Sequence, residues 1–367
     1  MKRNIVLTGG GTGGHIYPAL AIARGLHDRY GDDVSLHYIG SGRGLEKRLV
    51  TDPFIQFHEI RAAGFSGRGP AGKLKGLTAT VRGFVQTLVL LRTIRPRLIV
   101  GTGGYVTVPV LLAGWVRRLP VVIHEQNAYP GLANRLAGRF AREIFLTFED
   151  SHRYFRPDAP ARLTGLPVRP GFLETVRDEP GKKPEDGRRT LLVTGGSQGA
   201  RVLNDVILDS LTGLVSRGWK IHLITGTGDA QRVTDRLAQM DRVDLPNDSL
   251  LVQAYCEQMD LAMNRADLVV GRSGASFLAE LGILGKPSVL VPYPHAAADH
   301  QRHNAKALEQ AGAARMISQE VLSSRVFLDV LDSLDEQTLA QMARASGRLG
   351  KREALDLILE GMRKHVE

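Results

Sequence analysis

The sequence contains a single cysteine, Cys256, among its 367 residues. One thiol excludes an intramolecular disulfide framework and a cysteine-rich zinc site, and it agrees with a reducing compartment. Long hydrophobic runs are also missing. The longest candidate, 106–116, reaches about half of the ~20 residues that a membrane span needs. The opening residues do not resemble a signal peptide, so we expect any contact with a membrane to be made at its surface.

Two metal-binding signatures are absent. Asp-x-Asp and His-Glu-x-x-His do not occur in the chain. The sequence therefore offers no obvious ligand set for a catalytic metal ion, and we expect phosphate charge to be offset by helix ends and arginines.

The positive charge is unevenly distributed. The formal net charge is +10. Residues 1–165 hold 23 lysines and arginines against 11 acidic residues, whereas residues 166–367 hold 25 against 27. The first half is therefore expected to meet an anionic partner, such as a membrane surface, a nucleic acid or a phosphorylated substrate.

Short apolar runs alternate with helix-like stretches along the chain, which predicts parallel sheets covered by helices. A weak repeat supports two similar halves, because Ile-Val-Leu-Thr-Gly-Gly at 5–10 recurs as Leu-Leu-Val-Thr-Gly-Gly at 191–196. We predict an α/β fold of two doubly wound, Rossmann-like domains. Their bounds are 1–164 and 165–344, and the C-terminal helix, about 345–367, is expected to pack back onto the first domain.

The first glycine cluster, Gly9–His15, follows a predicted strand and matches G-x-G-x-x-G. Such a turn brings backbone N–H groups and a helix N-terminus to a phosphate. A dinucleotide site, and with it an NAD-dependent oxidoreductase, is therefore one alternative. A tight turn without a ligand is another. His15 is the best candidate for a general base by its pKa class, although it could instead bind an acceptor phosphate or cap the helix.

A second set of site candidates lies later in the chain. Gly271–Ser276 runs into a predicted helix that Ser273 is expected to cap, and Arg272 beside the open N–H groups suits a diphosphate. Glu280 lies ~9 Å further along that helix, about the distance from a pyrophosphate to a ribose diol. A solvated helix glutamate is the alternative. The segments 101–105 and 124–127 each follow a strand, where open α/β sheets bind ligands.

Seven motifs occur together in one order and spacing, at 10–19, 103–106, 124–127, 167–169, 195–201, 272–275 and 299–305. In these motifs the sequence resembles the bacterial peptidoglycan N-acetylglucosaminyltransferases that form lipid II, the MurG family. The resemblance covers nearly the whole chain. It departs from the family pattern at Leu166, where the family usually has asparagine.

The resemblance implies a GT-B fold with the active site in the cleft between two domains. It implies inverting transfer of N-acetylglucosamine from UDP-N-acetylglucosamine to the 4-hydroxyl of the muramyl sugar of lipid I, without a cofactor or an essential metal. The implied donor-binding residues are Thr12, Gly13, Gly14, Asn127, Arg169, Ser197, Cys256, Arg272, Gly274, Ala275, Ser276, Phe277, Leu278, Ala279, Glu280 and Gln301. The implied acceptor-binding residues are Gly10, Gly11, Gly104 and Tyr105.

A lipid-linked acceptor would bring the enzyme to the cytoplasmic side of the inner membrane as a peripheral protein. The helical stretch 73–94 mixes basic and apolar residues, as interfacial helices do, although a core helix with a basic edge is the alternative. The predicted membrane contacts are Lys73, Leu74, Lys75, Leu77, Arg82 and Phe84, with Trp115 as a second anchor.

The expected partners are the two substrates, an anionic membrane surface and proteins of cell-wall or division assemblies. A nucleic-acid binder would also explain the basic half of the chain. The sequence lacks an RRM signature and zinc fingers, so no nucleic-acid partner is expected.

Overall fold

The computed structural model describes residues 2–42, 44–62, 70–175, 187–196, 198–240, 246 and 248–367, and it describes 70–75 without their side chains. Ser197, an expected donor ligand, lies outside the described residues. So do the side chains of Lys73, Leu74 and Lys75 in the expected membrane contact. The chain divides into two compact units: unit 1 runs to Pro167 and adds Lys351–Glu367, and unit 2 comprises Val168–Gly350.

Each unit is built on a parallel sheet that helices cover. The strands are β1 Arg3–Thr8, β2 Val34–Ser41, β3 Ile55–Ile60, β4 Leu98–Gly101, β5 Val121–Glu125, β6 Glu143–Leu146, β7 Ala161–Leu163, β8 Arg189–Thr194, β9 Trp219–Ile224, β10 Leu250–Gln253, β11 Leu268–Gly271, β12 Ser288–Leu290 and β13 Ala314–Met316. The helices are α1 Gly13–Tyr30, α2 Glu46–Leu49, α3 Pro70–Ile94, α4 Thr107–Val116, α5 Leu132–Ala137, α6 Pro170–Glu174, α7 Arg201–Asp209, α8 Leu211–Ser216, α9 Ala230–Gln239, α10 Met259–Arg265, α11 Ala275–Leu284, α12 His300–Gln310, α13 Ser324–Asp332, α14 Glu336–Leu349 and α15 Ala354–Val366.

The two sheets share one strand order. Within the described residues the order is β3-β2-β1-β4-β5-β6-β7 in unit 1 and β10-β9-β8-β11-β12-β13 in unit 2. The strands that carry the repeated sequence, β1 and β8, occupy equivalent places, and the order reverses beside each of them. Ligands of open parallel sheets bind beyond the carboxyl ends of the strands at such a reversal. The two glycine turns therefore lie at equivalent binding positions of their units.

Burial differs between central strands of the two sheets and three of the edge strands. Every residue of β4, β5 and β11 is buried, as a strand covered by helices on both faces requires. By contrast β3, β7 and β13 are edge strands, and the last two have three residues each. Such short or half-exposed strands carry too little apolar pattern to be recognised in the sequence.

The C-terminal helical segment is interrupted. The sequence predicts one C-terminal helix over about 345–367, but α14 ends and α15 begins within this range as separate helices. A Cβ on Gly350 would lie 2.3 Å from the carbonyl oxygen of Gly282, so glycine is required where the segment turns. Beyond this turn α15 packs on α1 of unit 1, and Lys364 Nζ lies 2.5 Å from Glu143 Oε1.

The long helix α3 leaves an apolar stripe on the surface of unit 1. Leu77, Val81, Val85 and Val89 recur at every fourth residue, and each is more than half exposed. Phe84 instead packs against the core beneath the helix. None of the described helices combines the length and the apolar character that crossing a bilayer requires.

Candidate active site

Two glycine loops of unit 1 meet beyond the ends of β1 and β4. A Cβ on Gly104 would lie 2.0 Å from the carbonyl oxygen of Gly10, so the loops pack backbone against backbone. Gly11 and Gly104 have φ angles of 86° and 90°, which glycine adopts without strain. The ring of Tyr105 lies against Gly11. The four expected acceptor residues are therefore neighbours in the structure.

His15 stands in the first turn of α1. Its Nδ1 lies 3.1 Å from the carbonyl oxygen of Gly10 and 3.2 Å from Thr12 Oγ1. Because a carbonyl oxygen only accepts, Nδ1 is the protonated nitrogen of the neutral ring, and the lone pair is on Nε2. The edge that carries Nε2 lies against Gly103. This tautomer is the one that a general base acting through Nε2 requires.

Two buried side chains that the sequence did not indicate hold the first glycine turn. Tyr38 donates its hydroxyl to the carbonyl oxygen of Gly9 at 2.6 Å, and Glu46 Oε1 accepts the N–H of Gly11 at 2.8 Å. Burial, followed by the nearby charge of Glu46, raises the pKa of Tyr38. The N–H of Gly10 donates to Gly103. With two of the turn's N–H groups bonded internally, an anion is better received at the first turn of α1, which its N-cap residue, Thr12, does not cap with its side chain.

The polar segment 124–127, which begins in the last two residues of β5, is mostly turned inward. His124, Glu125 and Gln126 are fully buried, although the sequence predicts a ligand-binding loop here. His124 Nε2 lies 2.9 Å from the carbonyl oxygen of Gly165, and burial lowers the pKa of His124 to about 4. These three side chains therefore build the loop, and Asn127 is the half-exposed member of the segment.

Glu125 organises that loop. One carboxylate oxygen accepts the backbone N–H and the side-chain amide of Asn127, at 2.9 and 3.3 Å. The other accepts the N–H of Gly131 and the side-chain amide of Asn134, at 3.1 and 2.9 Å. Burial raises the pKa of Glu125, and these donors oppose the rise. Asn127, which the resemblance implies as a donor-binding residue, is therefore oriented by a buried carboxyl group.

In unit 2 the helix α11 begins with an open N-terminus. Its N-cap is Gly274, which has no side chain that could cap it. The expectation that Ser273 is the cap is wrong, because Ser273 lies one residue too early. Its buried hydroxyl donates instead to the carbonyl oxygen of Gln301 at 2.7 Å. The N–H of Leu278 bonds to Gly274, so the N–H groups of 275–277 are those that the helix presents to an anion.

Glu280 lies in the second turn of α11. It is buried, and its Oε1 accepts a hydrogen bond from Arg169 Nε at 2.8 Å. Burial raises the pKa of Glu280, and the Arg169 guanidinium opposes this rise. Burial also raises the pKa of Cys256, and the charge of Arg169 is near enough to act against it. Arg169, Cys256 and Glu280, three of the residues expected to bind the donor substrate, thus form one cluster.

Two further residues expected to bind the donor substrate form hydrogen bonds with the loop after β12. Arg272 donates to the carbonyl oxygens of Val291 and Pro292 at 3.0 and 3.1 Å. Gln301 Oε1 accepts the N–H of Tyr293 at 3.0 Å. Burial lowers the pKa of Arg272. Both side chains therefore stabilise this loop beside α11.

A cavity of about 390 Å³ lies in unit 1 outside these loops. Three arginines and several apolar side chains line it: Leu132, Arg135, Leu136, Gly138, Arg139, Tyr154, Phe155 and Arg156. None of them is an expected ligand. Over the part of the chain that the structure describes, no group of three or more histidine, cysteine, aspartate and glutamate side chains is arranged to hold a metal ion.

Two family models match this sequence. The glycosyltransferase family 28 N-terminal domain matches residues 5–146, and the glycosyltransferase family 28 C-terminal domain matches residues 190–358. The chain belongs to glycosyltransferase family 28. The glycosyltransferase activity that the sequence predicts is thereby confirmed, and the NAD-dependent oxidoreductase alternative finds no support.

Relatives within the family are similar over nearly their whole length. The chain is 38% identical to the UDP-N-acetylglucosamine–N-acetylmuramyl-(pentapeptide) pyrophosphoryl-undecaprenol N-acetylglucosamine transferase of Desulforamulus reducens, over 98% of both chains. It is 41% identical to the enzyme of the same name from Moorella thermoacetica, over 99% of both. The crystal structure of Acinetobacter baumannii MurG is 26% identical, with a TM-score of 0.81 over 99% of both chains. The predicted fold class, GT-B with two doubly wound domains, is confirmed.

Proposed function

We propose that this family 28 enzyme transfers N-acetylglucosamine from UDP-N-acetylglucosamine to the 4-hydroxyl of the muramyl sugar of lipid I, giving lipid II with inversion. The observation that carries the proposal is the full-length similarity to relatives named for this transfer. The chemistry of the two units supports it. One unit presents an oriented histidine, and the other presents an open helix N-terminus followed by a buried glutamate.

Unit 2 would bind the donor. The N–H groups of 275–277 and the dipole of α11 favour the diphosphate. Glu280, ~9 Å further along the helix, would accept the ribose hydroxyls, and the backbone at Cys256 would meet the uracil. The donor contacts of Asn127, Gln301 and the 12–14 segment remain predictions.

His15 would act as the general base. An inverting transfer is a single in-line displacement that needs a base for the acceptor hydroxyl and a stabilised leaving group. The hydrogen bond from Nδ1 to Gly10 directs the lone pair of His15 to Nε2. The fixed N–H groups at the start of α11 would stabilise the charge that develops on the leaving UDP.

Product analysis tests the transfer directly. With UDP-N-acetylglucosamine and a lipid I analogue, mass spectrometry should show the acceptor gaining one N-acetylhexosamine, with an equal amount of UDP released. Reactions without the acceptor serve as the control. Release of UDP without a glycosylated acceptor, or no reaction at all, would contradict the proposal.

We further propose that unit 1 attaches to the anionic cytoplasmic face of the inner membrane. The exposed stripe of α3 defined above lies on the same helix as exposed Arg82, and Trp115 of α4 is also exposed. Apolar residues flanked by arginines bind an anionic interface. At this surface the enzyme would meet its lipid-linked acceptor and serve cell-wall growth, cell shape and division, together with proteins of those assemblies.

A further inference from the structure

The carboxylate of Glu46 has no role in the reaction as outlined so far. Its side chain is fully buried beneath the first glycine turn. Oε1 accepts the N–H of Gly11 at 2.8 Å, and Oε2 accepts the hydroxyl of Ser41 at 3.4 Å. Burying a carboxylate is costly unless its hydrogen bonds are made. We therefore expect this buried carboxylate to have a function in the first glycine turn.

The surroundings of this carboxylate are shaped to admit it. A Cβ on Gly10 would lie 2.0 Å from Glu46 Oε1, and a Cβ on Gly44 would lie 1.6 Å from Oε2. A side chain at either glycine would therefore displace the carboxylate from the turn. The close approach of Glu46 to the Gly11 N–H depends on both positions being glycine.

One peptide group connects Glu46 to His15. The N–H of Gly11 and the carbonyl of Gly10 belong to the same peptide unit. Glu46 accepts from its N–H at 2.8 Å, and His15 Nδ1 bonds to its carbonyl oxygen at 3.1 Å. Rotation of this peptide would break both hydrogen bonds together. Hydrogen bonds in series also polarise one another, so a carboxylate at one end strengthens the acceptor that His15 meets at the other.

We propose that Glu46 is the positioning residue of His15 and acts through the Gly10–Gly11 peptide. The arrangement places a carboxylate, a peptide group and an imidazole in one hydrogen-bonded series, and it fixes both the ring orientation and the tautomer of the base. Outer-shell partners that orient metal-ligating histidines are typically worth 10–100-fold in activity, and we expect an effect of similar size for the orientation of His15. The inference rests on the proposed role of His15 as the base of the transfer.

A double-mutant cycle tests this coupling. Glu46→Ala is expected to lower kcat by about 10–100-fold and to leave the donor KM within about twofold of wild type. In the background of His15→Ala, the same substitution should cost almost nothing further, because Glu46 then has no base to orient. Additive losses would overturn the proposal. Unchanged turnover of folded Glu46→Ala would do so as well.

Two further variants separate positioning from a general loss of stability. Glu46→Gln keeps an acceptor for the Gly11 N–H, and the Ser41 hydroxyl can turn to accept from the new amide, so this variant should recover most of the activity. Glu143→Ala removes another buried carboxylate of unit 1, one paired with Arg162 and Lys364 away from the turn, and should leave kcat near wild type. Failure of folded Glu46→Gln to recover, or an equal loss in Glu143→Ala, would overturn the proposal.

The tautomer of His15 gives a readout that does not depend on turnover. In wild type, 15N NMR should show the proton on Nδ1, and Glu46→Ala should shift part of the population to Nε2–H. If Glu46→Ala shows this shift but wild type forms no lipid II, the proposed function is defeated and the positioning is left intact. An active wild type whose His15 tautomer is the same in Glu46→Ala would defeat the positioning alone.

Discussion

The two units repeat one strand order around one kind of glycine turn, yet they hold that turn in different ways. In unit 1 buried side chains, Tyr38 and Glu46, bond to the turn. In the described part of the unit 2 turn, backbone packing is joined only by a hydroxyl from the adjoining strand: a Cβ on Gly199 would lie 2.1 Å from the carbonyl oxygen of Thr225, and Thr194 Oγ1 accepts the N–H of Gly196 at 3.2 Å. The side-chain hydrogen bonds to the turn in unit 1 are suited to orienting a base. The open N-terminus of α11, beside the glycine turn of unit 2, is suited to binding an anion.

The largest expected effect distinguishes the base proposed in unit 1 from the nucleotide binding proposed for unit 2. His15→Ala should lower kcat by about 100-fold or more, because it removes the proposed proton acceptor, while the Kd for UDP stays within about twofold. Steady-state kinetics and calorimetry with UDP measure the two quantities. His222→Ala removes a histidine of unit 2 that bonds to Gln253, and it serves as the matched control. Turnover of His15→Ala near the wild-type rate would show that His15 is neither the base nor an essential acceptor ligand.

The response to acid should differ between the units. Burial lowers the pKa of four described histidines, and all four lie in unit 1: His37, His58, His124 and His365. For His37 and His124 the pKa falls from 6.5 to about 4. Below pH 6.5 the unfolded chain binds protons at these histidines more readily than the folded chain does. The buried neutral histidines therefore contribute fully to the stability of the fold above pH 6.5, and this contribution is lost as the pH falls towards 4.

We expect this loss to reach about 3 kcal/mol for each of the two histidines. Hydrogen exchange of the full chain at pH 7 and pH 4.5 should therefore show unit 1 losing protection while unit 2 keeps it. His37→Gln cannot take up a proton and should reduce the loss. Equal loss of protection in the two units would contradict the expectation that unit 1 is the more sensitive to acid.

A smaller effect is expected at the donor side. Glu280→Ala removes a buried, charge-assisted hydrogen-bond acceptor worth about 1.5–3 kcal/mol and should raise the donor KM about tenfold or more. The acceptor KM should hardly change. Glu280→Gln keeps the bond to Arg169 and should show a smaller rise. Glu257→Ala, which alters an exposed glutamate of the same unit, should show none. An unchanged donor KM in folded Glu280→Ala would remove Glu280 from the site.

The fold was easier to predict from the sequence than the contacts within the site. Strands such as β4 and β11 are continuous apolar runs because helices cover both faces, and that pattern is local. Glu46 gives no such signal. It lies 35 residues beyond Gly11, in a Glu-Lys-Arg segment that looks solvent-exposed. The Ser273 prediction failed because capping depends on a helix boundary known to within one residue.

The smallest expected effect concerns the proposed membrane contact, for which the structure changes which residues should be tested. Phe84 packs against the core, so a charge there would damage the fold as well as any membrane contact. Leu77 and Val85 are exposed on the stripe, so Leu77→Glu/Val85→Glu should leave the fold intact. In sedimentation with anionic vesicles, this variant should bind about fivefold more weakly than wild type, since two partly inserted apolar side chains are lost.

The control for this experiment lies in unit 2. Leu251→Glu/Val321→Glu makes the same change of charge at two exposed apolar residues and should bind vesicles as wild type does. Added salt should weaken the binding of wild type, because arginines contribute to it. If wild type ignores anionic vesicles, or if both double variants bind equally well, α3 is a core helix with a solvated edge. The contact with the membrane would then have to be sought elsewhere on unit 1, beginning with the arginine-lined cavity.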